Sequence, residues 1–452
     1  MLSIARFLLI LCLCAPLWPA PAALAVFGDD DPSGPDSAAE ADGETDGETD
    51  ADAAPILTEI VITGNERTDR TLILREMGLR IGQPLSYDQV DAIWDRLEDI
   101  GYFSYVDIEY DDSEPGEVVL NVLVEEDMTL FYGPVVRHSR RHKYLLGGWI
   151  AENNFRGKGE TLKLEVAALY IQRGEASWRR PWLFGVTGLQ ADAAVLYEQA
   201  NFVFRPTRYR TWHADLDLRW NFWSSFFVAA GARYGGFKTR DGYWWDAPVR
   251  EPDAPAGPLW HEPGNENRLR LRAAVGYDSR DNVWYPLRGV YGEAGLARWQ
   301  SDDFADYHEF TIDGRAFVPL PWKKHVLALR CWGRRVDGPA QLDNVLFFGG
   351  VETIRGYPFG QREGDEGYLL TVEYRLPFFI MPISPQGEMV GFGLHLFCDA
   401  GDAWYEGAAP GRRWLGYGGG AHINIDTLQL RFEAARTEDG HWQFEFADRF
   451  NF

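Results

Sequence analysis

His213-Ala214-Asp215-Leu216-Asp217-Leu218-Arg219-Trp220-Asn221-Phe222 alternates strictly between polar and apolar side chains, and its reading decides the fold. Successive side chains of a strand point to opposite faces, so the segment offers Ala, Leu, Leu, Trp and Phe to one side and only polar groups to the other. The pattern returns at Leu269-Arg270-Leu271-Arg272, at Phe310-Thr311-Ile312-Asp313, at Leu370-Thr371-Val372-Glu373-Tyr374-Arg375 and at Leu428-Gln429-Leu430-Arg431-Phe432-Glu433, each time with charge on the second face. One such strand fits an ordinary antiparallel sheet with a wet face. Its repetition does not, because a soluble sheet covers its apolar face with a second layer, and Arg and Asp in a dry core would be prohibitive. From about residue 130 to the end there is almost no helical periodicity. A closed antiparallel barrel in lipid accounts for both facts. Its outside is apolar, its water-filled lumen takes charge, and every backbone hydrogen bond is satisfied inside the bilayer.

The chain opens Met1-Leu2-Ser3-Ile4-Ala5-Arg6, followed by an apolar stretch from Phe7 to Leu17 and the small-residue site Ala23-Leu24-Ala25. This is the pattern of a secretory signal peptide over residues 1–25, cleaved after Ala25. The stretch is too short to span a bilayer as a helix, and no later stretch is apolar for the roughly twenty residues a transmembrane helix needs. Neither Cys12 nor Cys14 follows a lipoprotein-like small-residue motif. Any membrane domain is therefore expected to be made of strands. Removing the signal leaves Cys331 and Cys398, far apart in sequence, so a disulfide between them has nothing to support it. With no Cys-x-x-Cys and only scattered His, no metal, cofactor or redox site is expected. The net charge is -24, yet residues 26–54 hold eleven Asp or Glu and no Lys or Arg, so nearly half the imbalance lies in one segment. That segment is expected to be a disordered, solvated linker, with weak calcium binding as the alternative. An acidic surface also disfavours nucleic acid as a partner.

Residues 55–127 have a different texture. Glu59-Ile60-Val61-Ile62-Thr63 reads as a strand stopped by Gly64-Asn65, and Thr71 to Met77 as a short helix closed by Gly78. Ser86-Tyr87-Asp88-Gln89 is a capping-box pattern opening a helix whose Val90, Ile93, Trp94, Leu97 and Ile100 share one face. After Gly101, Tyr102 to Tyr110 and Glu117 to Val124 pair as a hairpin across Asp111 to Gly116. Strand, helix, helix, strand, strand in about seventy residues is enough for one small α+β domain with its own core.

These residues resemble a POTRA domain, including the turn-like Ile62-Thr63-Gly64-Asn65 and the helix-ending Ile100-Gly101-Tyr102-Phe103. Farther on, Asn153-Asn154-Phe155-Arg156-Gly157-Lys158-Gly159, Tyr277-Asp278-Ser279-Arg280-Asp281 with Pro286 and Gly289, and Gly349-Gly350 leading to Ile354-Arg355-Gly356-Tyr357 resemble the barrel of the BamA/TamA family. The last of these matches that family's Val/Ile-Arg-Gly-Tyr/Phe loop motif. The resemblance implies a sixteen-stranded barrel over residues 128–452, which leaves about twenty residues for each strand and its connection. It also implies a bacterial outer-membrane location with the POTRA domain in the periplasm. Trp178 with Trp182 and Trp244 with Trp245 suit interfacial girdles, and 240–265 reads as a long extracellular loop.

Arg355 lies among glycines at 349, 350, 356 and 360, a backbone able to fold an extracellular loop back into the lumen. A guanidinium there grips carboxylates in a two-pronged geometry that Lys cannot reproduce. The resemblance implies that this Arg docks on the inner barrel wall and braces it; an exposed loop Arg is the plainer reading of the residues alone. Parity places its expected partners, Asp399 and Glu433, on the lumen face, where ordinary lumen charge is the alternative. Asp278, Arg280 and Asp281 read equally as a polar brace or as simple turn chemistry. The glycine run 416–420 lacks the Lys and helix of a phosphate loop and reads as a strand approached closely by other backbone. Trp442 to Phe452 reads as the last strand, and its terminal Phe450 and Phe452 resemble the signal by which outer-membrane barrels are recognised for assembly.

The resulting expectation is an assembly or insertion factor: the POTRA domain captures an unfolded outer-membrane or secreted client by strand addition, and the barrel inserts it at a weak seam between its first and last strands. The expected partners are membrane lipid, such clients, and a periplasmic protein that meets the POTRA domain. A POTRA-linked secretion pore and a passive channel are the alternatives. No Gly-x-Ser-x-Gly or His-Glu-x-x-His is present, so no catalytic residues are expected.

Overall fold

The computed structural model describes residues 54–447 apart from 140–142, 170, 202–206, 224, 242–263, 284, 304, 323, 339–343, 383–388, 406–407, 409 and 427. The signal peptide, nearly all of the acidic segment, most of the loop expected at 240–265, and Phe450 and Phe452 lie outside the described residues.

The first five elements are β1 (Ile56–Thr63), α1 (Arg70–Met77), α2 (Tyr87–Asp99), β2 (Phe103–Asp111) and β3 (Glu117–Glu126), the order expected from the sequence. Helix α1 begins where the Asp69 carboxylate accepts from the Thr71 N–H at 2.8 Å and ends on Gly78 at φ 66°. Helix α2 begins where the Gln89 side chain accepts from the Ser86 N–H at 3.0 Å. Its Val90, Ile93 and Leu97 are buried with Leu57, Val118 and Leu120 of the sheet, which is where the apolar stripe had to go. The sheet order is β1-β3-β2, with β1 parallel and β2 antiparallel to β3. The two helices supply the long crossover that a parallel pair needs.

The remaining chain forms one sheet of sixteen strands. These are β4 (Leu130–Ser139), β5 (Lys143–Phe155), β6 (Glu160–Leu169), β7 (Ile171–Arg180), β8 (Leu189–Asn201), β9 (Thr207–Phe222), β10 (Phe226–Asp241), β11 (Asn265–Asp278), β12 (Gly289–Ser301), β13 (Tyr307–Pro319), β14 (Val326–Asp337), β17 (Glu366–Pro382), β18 (Met389–Trp404), β19 (Trp414–Asp426), β20 (Leu428–Thr437) and β21 (Trp442–Ala447). They run antiparallel in chain order, and the connection between β14 and β17 carries a two-stranded ribbon, β15 (Leu346–Phe348) and β16 (Arg362–Gly364). All five alternating segments lie in these strands. Burial is inverted relative to a soluble protein: on β9, Leu216 and Trp220 are 49% and 45% exposed while Asp215 and Asp217 between them are half-buried. That inversion is what an apolar solvent outside and polar packing inside demand. Cys331 and Cys398 sit on β14 and β18, two strands separated by β17.

The α+β domain is tied to the barrel by the loop between β1 and α1. Glu126 accepts from the Arg67 and Thr68 backbone N–H groups at 3.0 and 2.5 Å and from Arg67 Nε at 3.2 Å. Burial pushes the Glu126 carboxyl up, but these bonds outweigh it and hold it below its ordinary value. From the other side, the β5–β6 turn reaches the same loop: Asn154 Nδ2 donates to Thr68 Oγ1 at 2.9 Å, and the Asp69 N–H donates to the Gly157 carbonyl at 2.8 Å. Gly157 has φ 70°, and a Cβ on it would lie 2.0 Å from the Arg67 carbonyl oxygen, so only glycine permits this approach. The Arg75 guanidinium lies 4.8 Å from the centroid of the Trp182 ring, so Trp182 meets the α+β domain, whereas Trp178 on β7 donates its indole N–H to Glu160 Oε2 at 3.0 Å.

Candidate functional site

The connection from β14 to β17 folds inward, and Arg355 at its tip is completely buried. Its guanidinium grips Asp399 with two prongs, Nε to Oδ2 at 2.7 Å and Nη2 to Oδ1 at 2.8 Å, while its own backbone N–H donates to Oδ2 at 3.1 Å. Nη1 donates to Glu373 at 2.9 Å and to Glu433 at 3.1 Å. The Phe397 ring lies 3.5 Å beneath the guanidinium carbon. One side chain thus joins β17, β18 and β20. Arg431 bridges Glu373 at 2.7 Å and Glu433 at 2.6 Å, and Arg375 Nε meets Glu373 at 2.9 Å. Three carboxylates face three guanidiniums, so formal charge cancels within a cluster buried from the surface, the condition under which buried ions are tolerated.

The rest of the motif explains how the loop stays in. Ile354 is buried against Phe348, Leu369 and Ala403, Gly356 turns the chain at φ 92°, and the Tyr357 ring stacks on Trp414 at 4.4 Å between centroids. Gly416 on β19 admits the loop backbone, since a Cβ there would lie 1.9 Å from the Arg355 carbonyl oxygen. The close approach expected for the glycine run is therefore made at its first residue by the loop itself.

A hydrogen-bonded chain continues from this cluster toward the opposite rim. His395 Nε2 is 3.0 Å from Glu433 Oε1, His395 Nδ1 is 3.2 Å from His422 Nδ1, and His422 Nε2 is 3.0 Å from the Tyr285 hydroxyl. Tyr285 belongs to the β11–β12 turn and is buried. A loop from one rim and a turn from the other therefore meet through side chains of β17 to β20. The lumen here is packed with ions and rings, where the sequence had suggested open water.

Asp278, Arg280 and Asp281 stand apart from Arg355. Arg280 meets Asp278 at 2.9 and 2.8 Å, while Asp281 Oδ1 accepts from the Leu287 and Arg288 N–H groups at 3.0 and 3.2 Å. Asp281 thus does the work of a turn and Arg280 pairs along the strand end. Sequence reasoning missed Glu373, Arg375, Arg431, His395, His422 and Tyr285. The first three lie in quoted alternating segments, on the same face as Glu433, and the parity argument that picked Glu433 applied equally to them. Nothing in the local sequence marks Tyr285. Among the described residues, no group of three or more His, Cys, Asp or Glu could hold a metal ion.

Comparison with known families matches residues 154–450 to the Omp85 superfamily domain and residues 55–127 to POTRA, described as a surface antigen variable number repeat. Among solved structures, the chain is similar to BamA from Haemophilus ducreyi lacking POTRA domains 1–3, at 16% identity and a TM-score of 0.67 over 87% of this chain and 84% of that one. It is also similar to CdiB from Acinetobacter baumannii, at 15% identity and a TM-score of 0.58 over 87% of this chain and 73% of that one. For CdiB from Escherichia coli the values are 11% and 0.57 over 87% and 76%. A search of curated protein sequences found no match. With a sixteen-stranded outer-membrane barrel, a POTRA region ahead of it and a family match over more than half its length, this chain belongs to the Omp85 superfamily.

Proposed function

We propose that this protein inserts client proteins into the bacterial outer membrane at the seam between β4 and β21, with its POTRA domain in the periplasm. The observation that carries this reading is the seam itself. Strands β4 and β21 end the sixteen-stranded sheet, and among the described residues no register joins them. Among the described residues, strand β21 spans six, against sixteen for β18. An edge with unpaired main-chain donors and acceptors is a template for an incoming strand. The POTRA domain offers a second edge, the outer side of β2, for holding an extended client or a periplasmic partner before insertion.

The POTRA-linked secretion reading draws on the likeness of the fold to CdiB. The buried Arg355 cluster weighs against it, because a chain passing through the lumen would have to separate six paired charges. The passive-channel reading meets the same obstacle. No covalent chemistry enters the proposed mechanism.

The test is photocrosslinking from positions 443 and 445 of β21 in cells producing labelled outer-membrane proteins. Transient adducts with nascent barrel strands are expected. Adducts confined to β4 of the same molecule would overturn the proposal and favour a closed pore.

A further inference from the structure

Charge is shared unevenly along this chain. Residues 55–127 hold eighteen Asp or Glu against five Arg and no Lys, a net charge of -13, whereas residues 128–452 hold 39 Asp or Glu against 38 Lys or Arg. Within the POTRA domain the imbalance is carried by the sheet as well as the helices, because β1, β2 and β3 contain no Lys or Arg at all. One side of that sheet packs Leu57, Ile60, Val118 and Leu120 into the core with α1 and α2. Register sends the alternate residues to the other side, where Val61, Tyr105 and Leu123 are 37%, 49% and 43% exposed. Glu59, Asp107, Glu109 and Glu125 flank them on the same side and are exposed too. Among the described residues the domain's ion pairs, Arg67 with Glu126 and Arg75 with Glu76, involve none of these four carboxylates.

An exposed apolar stripe between rows of one charge is complementary to an apolar stripe between rows of the other. The charge selects among occupants. A second copy would set -13 against -13, residues 26–54 carry eleven acids and no Lys or Arg, and an anionic lipid surface has the same sign, so all three are repelled. A basic protein surface is attracted. The sheet sets its shape, since three strands span about 10 Å, roughly the width of one helix, and helices already cover the other side. We infer that this sheet face docks an amphipathic helix of a periplasmic partner, with its apolar stripe on Val61, Tyr105 and Leu123 and its Lys or Arg rows on Glu59, Asp107, Glu109 and Glu125. The inference rests on the periplasmic placement proposed above and gives the partner proposed there its chemistry.

The test titrates the purified full chain in dodecyl maltoside into a fluorescent synthetic peptide of Lys and Leu at helical spacing, with anisotropy read at low and high salt. Saturable binding that weakens with salt is expected for the wild type. Glu59→Gln/Asp107→Asn/Glu109→Gln/Glu125→Gln is expected to bind about tenfold more weakly and with a flatter salt dependence. Its substitutions remove like charges that make no ion pair, so it is expected to melt no lower than the wild type. Leu123→Ser is expected to weaken binding several-fold while leaving the salt dependence unchanged. The control Asp88→Asn/Asp91→Asn/Asp95→Asn/Glu98→Gln takes four charges from the exposed side of α2, and is expected to bind within about twofold of the wild type, because screening confines charge effects to nearby groups. No saturable binding, equal weakening by the sheet and helix variants, or equal binding of a peptide with Glu in place of Lys would each overturn the inference. Peptide binding is read without any client, so absence of client adducts at the seam would overturn insertion while leaving this result standing.

Discussion

Arg355 holds three carboxylates from three strands, and removing it takes from buried Asp399 its two-pronged partner and leaves Glu373 and Glu433 to Arg375 and Arg431. Stripping one partner from a buried ion cluster typically costs about 3–5 kcal/mol. Arg355→Ala is therefore expected to unfold at distinctly lower temperature when heated in detergent and followed by its shift on gels. Arg355→Lys is expected to recover only part of the loss, because an ammonium cannot make the two-pronged contact with Asp399. An unchanged melting profile for Arg355→Ala would refute the brace. Tyr285→Phe removes only the hydroxyl that meets His422, and a smaller loss of about 0.5–1.5 kcal/mol is expected from that single bond. The motif Ile354-Arg355-Gly356-Tyr357 and two of its partners, Asp399 and Glu433, were legible in the sequence. Glu373 and Arg431 could have been found by the same parity, whereas Tyr285 enters from a turn whose direction no periodicity encodes.

At the scale of elements, the loop between β1 and α1 is clasped between Glu126 and the β5–β6 turn. Gly157→Ala places a Cβ against the Arg67 carbonyl in a left-handed backbone, so the turn must withdraw and the POTRA domain is expected to be released faster by limited proteolysis. The Glu126 carboxyl is held below its ordinary value of 4.5, so its contribution is present above that pH and is lost as pH falls through the lower folded value. Proteolytic release is accordingly expected to accelerate below about pH 4.5 in the wild type, and Glu126→Gln to flatten that dependence. Release with the same acid profile in both proteins would exclude Glu126 as the clasp. The capping signals at Asp69 and Ser86 and the strand alternations were readable because they are local; that the turn of Gly157 meets Arg67 is a contact between segments about ninety residues apart, and no local rule reaches it.

For the whole molecule, a lumen crossed by the Arg355 cluster and the His395–His422–Tyr285 chain is expected to pass little current in planar bilayers. Asp399→Ala breaks the two-pronged contact and frees the loop, and is expected to raise mean conductance several-fold, with larger fluctuations as the loop moves. Equal conductance in both proteins would mean that the loop does not govern access to the lumen.

The sequence by itself determined the architecture, because a period of two repeated over some three hundred residues with charge on one face fits a bilayer as an antiparallel barrel, apolar outside and polar within. It also determined the small α+β domain, whose caps, glycine stops and apolar stripe are local signals. The tertiary structure decided what the barrel holds inside. Parity says that a charge faces the lumen but not which opposite charge it meets, since that depends on strand register and on a loop folding back between walls.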